Sequence, residues 1–434
     1  MKPQFLIAAP HSGAGKTTVT LGILKALNSR GLHIQPFKCG PDYLDPKLHT
    51  IASGQQSINL DRFMMDDQHI GDLYSGYGDK ADVIVTEGVM GLFDGAVKME
   101  GSSADIARLL HIPVILVINA KAMAYSAAAL LLGFKMLCKD ITIAGVIFNF
   151  VEHASHYKIL KEAAEDMGIT PLGYLPNCAA LQIPSRHLGL VTGNEIDHSA
   201  IIERAATHIE QYIDLDKLLE ITAISFIPRE IPKQPTIQNS RKIAVAYDEA
   251  FNFIYPENIA ALSAIGEVTY FSPLKDNTLP PADLIYLPGG YPELHLEALS
   301  ANKNLRNELN RYAKNGGKIL AECGGMMYLG NFITDEKGTS YPMTGILNIT
   351  TGMQQKKLSL GYKRVNIEGI ELKGHEFHYS QFIGQPETDV QINVWNARNE
   401  LLQLPVFKTG NMLASYFHFY FGNNIEAIET LLFG

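Results

Sequence analysis

An apolar strand, a glycine-rich turn and an amphipathic helix follow one another at the start of the chain, and no other feature narrows the fold as much. Residues 5–9 form a short apolar run. His11-Ser12-Gly13-Ala14-Gly15-Lys16-Thr17-Thr18 is the turn, and residues 17–28 then place Val19, Leu21, Ile23, Leu24 and Leu27 at helical spacing ahead of Gly31. Glycines let successive backbone N–H groups converge on phosphate oxygens, and a helix N-terminus adds a favourable dipole. Ser12, Gly13, Ala14, Gly15, Lys16, Thr17 and Thr18 are therefore expected to hold the phosphates of a nucleotide, with Lys16 at the β/γ-phosphates and Thr17 at Mg²⁺. One position departs from the G-x-x-x-x-G-K-[ST] pattern: Pro10 stands where its first glycine belongs.

The pattern continues as alternating strands and helices. Residues 34–38, 82–86, 113–119 and 141–149 read as buried strands, and residues 121–137 and 155–167 as helices. Such alternation predicts a mostly parallel sheet with helices on both faces, an α/β fold. A segment rich in Pro, Gln, Asn and Ser breaks it, so a first domain is expected over residues 1–227, a linker over 228–241 and a second α/β domain over 242–434. In that second domain residues 242–247, 268–271, 284–287 and 318–321 read as strands, and residues 342–389 hold several short strand-like runs.

Charge and cysteine content exclude several function classes. Thirty-six basic against 45 acidic residues give a net charge of −9, which argues against general nucleic-acid binding. Cys39, Cys138, Cys178 and Cys323 make neither a disulfide framework nor a CxxC zinc site. The apolar run over residues 122–137 is too short for a membrane span and the start of the chain does not resemble a secretion signal, so a soluble, cytoplasmic protein is expected.

Carboxylates cluster after the strands. Glu87 ends the run at 82–86, Asp94 lies in Gly91-Leu92-Phe93-Asp94-Gly95, and Asp42 and Asp45 lie in Gly40-Pro41-Asp42-Tyr43-Leu44-Asp45-Pro46. In a parallel sheet such loops converge on the crevice that binds ligands. Glu87 joins Thr17 as the expected metal contact; Asp45 and Asp94 are expected to serve the reacting groups.

A second reactive centre is predicted at Glu322-Cys323-Gly324-Gly325, which reads as strand, tight turn and helix. Small neighbours permit a strained elbow that presents the thiol at a helix N-terminus, where its pKa falls. His418, in a strand-like run near the end of the chain, is the best-placed base. Gly290, in Leu287-Pro288-Gly289-Gly290-Tyr291, and Gly324 could supply backbone N–H groups to an oxyanion.

Five stretches together resemble the cobyrinic acid a,c-diamide synthase family. They are Ala9 to Thr18, Lys38 to Pro46, Glu87 to Gly95, Ala321 to Leu329, and Gly374-His375-Glu376-Phe377-His378-Tyr379-Ser380. Pro10 fits, since that family resembles dethiobiotin synthetase in using a modified loop. The resemblance implies an N-terminal P-loop synthetase domain joined to a C-terminal class I-type glutamine amidotransferase domain. It implies ATP- and glutamine-dependent amidation of the a and c acetates of a corrin precursor through an acyl phosphate, with ammonia passing along a closed path.

Ordinary class I glutaminases carry a Glu two residues after the His. Here Tyr420 stands there, so Cys323 and His418 are expected to act as a dyad. Asn149 corresponds to an adenine-contacting Asn of dethiobiotin synthetase-like proteins, and Lys38 and Arg62 are candidates for the substrate's carboxylates. His375 and His378, flanking Glu376, are read as structural or interdomain hydrogen-bonding groups. Expected partners are small molecules, namely a corrin or tetrapyrrole acid, glutamine and ATP, with neither nucleic acid nor membrane; a homodimer is left open. Two alternatives stand beside this reading: a nickel-sirohydrochlorin a,c-diamide synthase, and a switch ATPase with a vestigial glutaminase domain. Against the latter, His11 occupies the position of the extra Lys of partitioning ATPases.

Overall fold

A computed structural model describes residues 1–178, 181, 197–229, 241–386 and 392–433. The described residues up to 229 belong to one compact unit and those from 241 onward to a second. Most of the expected linker, residues 230–240, lies outside the described residues.

The first unit is built on β1 (Lys2–Ala8), α1 (Lys16–Ser29), β2 (Ile34–Cys39), α2 (Leu44–Ser53), β3 (Ile58–Leu60), α3 (Asp67–Gly78), β4 (Val83–Glu87), α4 (Ser103–Leu110), β5 (Val114–Asn119), α5 (Ala127–Leu137), β6 (Ile143–Asn149), α6 (Ala154–Asp166), β7 (Thr170–Leu175), α7 (His198–Tyr212), α8 (Leu215–Ile221) and β8 (Ala223–Ile224). Seven strands run parallel in the order β3-β2-β4-β1-β5-β6-β7, and β8 pairs antiparallel with β1. The strands are near-continuous apolar runs because helices cover both faces. At the carboxyl ends, Lys38 on β2 is in register with Glu87 on β4, and Glu87 with Ile7 on β1.

Local chemistry sets the boundaries. Gly15 enters α1 with φ 90°, and the helix ends where Gly31 adopts φ 82°. Such left-handed positions favour glycine. Asp66 and Ser102 cap α3 and α4 by accepting the N–H groups of His69 and Asp105. The helix expected from residue 121 begins only at Ala127. Asn119 Oδ1 accepts the Lys121 N–H and Ala122 adopts φ 57°, so the first residues of that apolar run form a turn.

The second unit opens with β9 (Lys242–Ala246), α9 (Pro256–Ile265), β10 (Glu267–Phe271), β11 (Leu284–Leu287), α10 (Leu296–Ala301), α11 (Lys303–Lys314), β12 (Lys318–Glu322) and α12 (Gly324–Leu329). Short strands β13 (Phe332–Thr334), β14 (Ser340–Pro342) and β15 (Thr350–Gly352) follow. Then come β16 (Ser359–Ile367), β17 (Ile370–His378), β18 (Gln381–Phe382), β19 (Val394–Asn396), β20 (Leu401–Leu402), β21 (Val406–Thr409), β22 (Met412–Ser415), β23 (Phe417–Tyr420) and α13 (Ile425–Phe433). A six-stranded sheet, β10-β9-β11-β12-β22-β21, is parallel except for β21. A separate antiparallel sheet runs β20-β19-β16-β17-β23. The single run expected near residues 412–417 is thus two strands in two sheets, parted at Tyr416.

Candidate functional site

The phosphate loop lies where β1 gives way to α1. Gly13 and Gly15 adopt φ 83° and 90°, and a Cβ on Gly13 would meet nothing within 4 Å, so the loop is open on that side. Its other side is braced. A Cβ on Gly15 would stand 2.0 Å from the Asn149 amide nitrogen, and that amide donates to the Ala14 carbonyl at 3.0 Å. Asn149 therefore lies behind the loop, and its Oδ1 accepts the Phe150 N–H. Both ends of its amide are engaged with backbone, each through one hydrogen bond.

Glu87 organises the cluster in front. Its Oε1 accepts from Thr17 at 2.7 Å and Lys16 at 3.0 Å, with the Lys38 ammonium at 3.3 Å; its Oε2 lies 2.6 Å from His49 Nε2. The Lys16 and Lys38 ammonium groups also donate to the Gly88 carbonyl. Lys38 reaches Asp45 at 2.7 Å. Burial alone would raise the Glu87 carboxyl; Lys16, Lys38 and His49 outweigh it and hold the group well below the usual carboxylate range. Burial likewise opposes the Lys38 charge, but Asp45 and Glu87 keep its ammonium well above its ordinary range.

Thr17, Lys16, Glu87 and Asp45 thus lie in one cluster. Lys38 joins them as an interior cation, 1% exposed, rather than as an open contact for substrate carboxylates. His49, fully buried, had no motif to announce it; its place one helical turn after Asp45 on α2 is the only sequence signal.

Asp94 is exposed and accepts the Gly91 N–H at 3.0 Å. Its loop is pinned to the phosphate loop by the Leu92 N–H donating to the Ala9 carbonyl at 2.8 Å. Arg62 belongs to another network. It grips Asp67 through two bonds of 2.7 Å and reaches Asp105 at 2.7 Å, so its guanidinium is engaged in holding α3 and α4. Ser12 and Gly13 are exposed, Ala14 is buried, and Thr18 sits in the first turn of α1.

The elbow in the second unit has the strain its sequence predicts. Cys323 joins β12 to α12 with φ 44° and ψ −106°, a conformation rare for a non-glycine residue. The backbone closes tightly around it: a Cβ on Gly324 would stand 3.2 Å from the Gly290 nitrogen, and a Cβ on Gly290 would strike the Ala250 carbonyl at 2.0 Å. Gly290 and Gly324 therefore lie side by side, as two oxyanion donors must. The thiol itself departs from expectation. Burial pushes it up, Glu293 adds to this, and the Gly324 N–H offsets only part of the effect.

His418 lies on β23 directly across from His375 on β17, and their rings stack with centroids 5.0 Å apart. Gly289 abuts the imidazole so closely that a Cβ there would meet Cε1 at 2.1 Å. Burial, with His375 and His378 nearby, holds His418 well below its usual pKa, which favours its neutral imidazole just as burial favours the neutral Cys323 thiol. Tyr420 is buried and packs edge-on to Tyr255. His378 bridges Glu376 at 2.8 Å and the Ser380 carbonyl at 2.9 Å while stacking on Tyr416, and Glu376 also pairs with Lys363 at 3.0 Å. No group of three metal-ligating side chains occurs among the described residues.

Residues 5–191 match the CobQ/CobB/MinD/ParA nucleotide binding domain, and residues 242–425 match the CobB/CobQ-like glutamine amidotransferase domain. The chain is 41% identical to hydrogenobyrinate a,c-diamide synthase of Brucella abortus biovar 1, covering 95% of this chain and 97% of that protein. It is 39% identical to cobyrinate a,c-diamide synthase of Listeria innocua serovar 6a, covering 99% of both. It is 41% identical to the cobyrinate a,c-diamide synthase of Dehalococcoides mccartyi, covering 99% of this chain and 97% of that protein.

Proposed function

The chain belongs to the cobyrinate and hydrogenobyrinate a,c-diamide synthase family, and on that premise we propose that it amidates the a and c acetate groups of a corrin precursor with ATP and glutamine. The observation that supports this reading is the presence of two distinct candidate centres in one chain. One is a phosphate loop whose Lys16 and Thr17 converge on Glu87, and the other a strained Cys323 flanked by apposed glycines.

A carboxylate does not usefully capture ammonia at neutral pH. Attack of its oxygen on the γ-phosphorus of ATP gives an acyl phosphate and ADP; ammonia then displaces phosphate and leaves the amide. Lys16 and the backbone N–H groups of the loop would stabilise charge on the transferring group. Thr17 and Glu87 present a hydroxyl and a carboxylate oxygen 2.7 Å apart, the hard oxygen donors that Mg²⁺ prefers, and these two would hold it. A bound Mg²⁺ supplies neutralising charge beside the phosphates. Lys38 fixes Asp45 and Glu87 and prevents two buried carboxylates from repelling each other. Asp94 is assigned to the incoming ammonia or the phosphorylated intermediate.

In the other unit the Cys323 sulfur attacks the carboxamide carbon of glutamine while His418 takes the thiol proton. The oxyanion lies against the Gly290 and Gly324 N–H groups. Collapse expels ammonia, which carries away the proton from His418, and water hydrolyses the thioester to glutamate. Because burial raises the thiol and lowers the imidazole, proton transfer accompanies attack rather than preceding it.

The test is incubation with ATP, Mg²⁺ and glutamine against cobyrinic acid, hydrogenobyrinic acid and nickel-sirohydrochlorin, with product masses as the readout. Replacement of two carboxyl hydroxyls by amino groups in a corrin acid is expected. ATP hydrolysis without amidation of any acceptor would overturn the reading in favour of a switch ATPase.

A further inference from the structure

The glutaminase reading leaves one mechanical question open, because a Tyr stands where other class I enzymes place the acid that orients their histidine. Three features of the second unit bear on it. The first is that nucleophile and base lie on different sheets. Cys323 follows β12, whereas His418 lies on β23 at the edge of the antiparallel sheet, paired with β17. The second is that β23 is an edge strand buried in the unit, so its outward backbone groups need side-chain partners. The Phe419 carbonyl accepts from Asn258 at 2.8 Å, and the Phe419 N–H donates to Glu322 Oε1 at 3.2 Å. The third is the placement of Glu322. It is the last residue of β12, directly before Cys323, and Phe419 directly follows His418. A single side chain thus spans from the neighbour of the nucleophile to the neighbour of the base.

Glu322 is also held from behind. The Tyr286 hydroxyl on β11 donates to Oε2 at 2.9 Å, and the carboxyl is 1% exposed. A buried carboxyl with two directed bonds has little freedom, so it transmits position. The backbone ties the elbow to the same chain segment as well: the Cys323 N–H donates to the Ser415 carbonyl at 2.7 Å, three residues before His418 and across the break at Tyr416.

We infer that Glu322 is a positioning residue for glutamine hydrolysis, fixing the separation of Cys323 and His418 by gripping the backbone beside the base rather than the imidazole itself. This rests on the glutaminase assignment above. Burial pushes the Glu322 carboxyl up to about 8, so it is largely neutral at pH 7 and a glutamine can replace it. The amide oxygen of that glutamine would accept the Phe419 N–H and its NH₂ would donate to the Tyr286 oxygen. An aspartate keeps the carboxyl but is one methylene short of Phe419.

The experiment compares the full-length parent with Glu322→Gln and Glu322→Asp. It measures kcat and KM for glutamine hydrolysis, the pH dependence of Cys323 alkylation by iodoacetamide, and amidation driven by ammonium chloride. Glu322→Gln is expected within about fivefold of the parent in kcat. Glu322→Asp is expected to lose about 10²-fold in kcat, with KM for glutamine within about threefold, as displacement of a catalytic pair on the order of 1 Å implies. Cys323 alkylation in Glu322→Asp should move to higher pH, and ammonia-driven amidation should stay near parental in both variants. Parental kcat in Glu322→Asp overturns the inference, as does equal loss in both variants, or a loss confined to KM. A parent that hydrolyses no glutamine overturns the glutaminase assignment and the inference with it.

Discussion

Gly289→Ala tests the geometry of the glutaminase centre with one added methyl group. Gly289 does not adopt a left-handed φ, so alanine is not strained by its own backbone. Its loop cannot swing away easily either, since the Gly289 carbonyl accepts the N–H groups of Asn252 and Phe253 at 3.0 Å each. The new Cβ would stand 2.1 Å from His418 Cε1, and ordinary contact begins at 3.4 Å, so the ring must retreat by about 1.3 Å. His375, stacked on one face, limits the directions open to it. A misplacement of about 1 Å in a reacting pair costs on the order of 10²-fold, or about 2.7 kcal/mol of transition-state stabilisation. Overpacking would also take about 1–3 kcal/mol from folding stability, which a melting curve reads separately. Steady-state glutamine hydrolysis should therefore fall about 10²-fold in kcat, while amidation with ammonium chloride continues at the parental rate. Parental glutaminase kcat in a folded Gly289→Ala protein would refute the placement of His418 as the base.

Further outcomes follow from the same geometry. Cys323→Ser should abolish glutamine-dependent amidation and leave ammonia-driven amidation; equal loss with both nitrogen sources would contradict two separate centres. Lys16→Ala should stop amidation with either source, by at least about 10²-fold, because the ammonium acts on developing charge; persistence with ammonia would route activation elsewhere. Asp94→Asn keeps an oxygen acceptor for the Gly91 N–H, so a strong loss of amidation with ATP binding and glutaminase intact would isolate the charge, whereas normal amidation would remove Asp94 from the reaction. The pH dependence of stability offers a last check. Glu322 titrates near 8 when folded and near an ordinary glutamate value when unfolded, so the folded chain binds more protons between those limits and loses stability as pH rises through them. Melting temperature relative to the parent should therefore rise for Glu322→Gln between about pH 5 and 8; a constant difference would contradict the shift.

Much of this architecture was legible because its signals are local. Glycines at the turn before Lys16, a continuous apolar β4 ending in Glu87, and small residues around Cys323 each fix a backbone event within a few residues. Burial was not legible in that way. Lys38 and Arg62 read alike as cations near an anionic ligand, yet one fills an interior between Asp45 and Glu87 and the other staples two helices. Only packing distinguishes them. Asn149 was recognised as important at a strand end, but its direction, toward Ala14, depends on β6 reaching the loop after β1 from across the sheet. The thiol shows the same limit: its helix N-terminus was visible in sequence, while the desolvation that overrides the dipole was not.

The chain changes sheets at Tyr416, so thiol and imidazole are carried by two different sheets, which the chain joins here and again between β20 and β21. In a site whose nucleophile and base share a sheet, the ladder between strands fixes their spacing. Here a small shear of the antiparallel plate against the parallel one would carry His418 toward or away from Cys323 with neither residue changing its rotamer. Tyr416 stands at the first of these joints. Its ring is clamped against His378 at 3.7 Å, and its hydroxyl is bonded to Ser380 at 2.9 Å. The spacing of thiol and imidazole thus depends on how two sheets pack against each other, through Tyr416 and through Glu322, as well as on the reacting residues themselves.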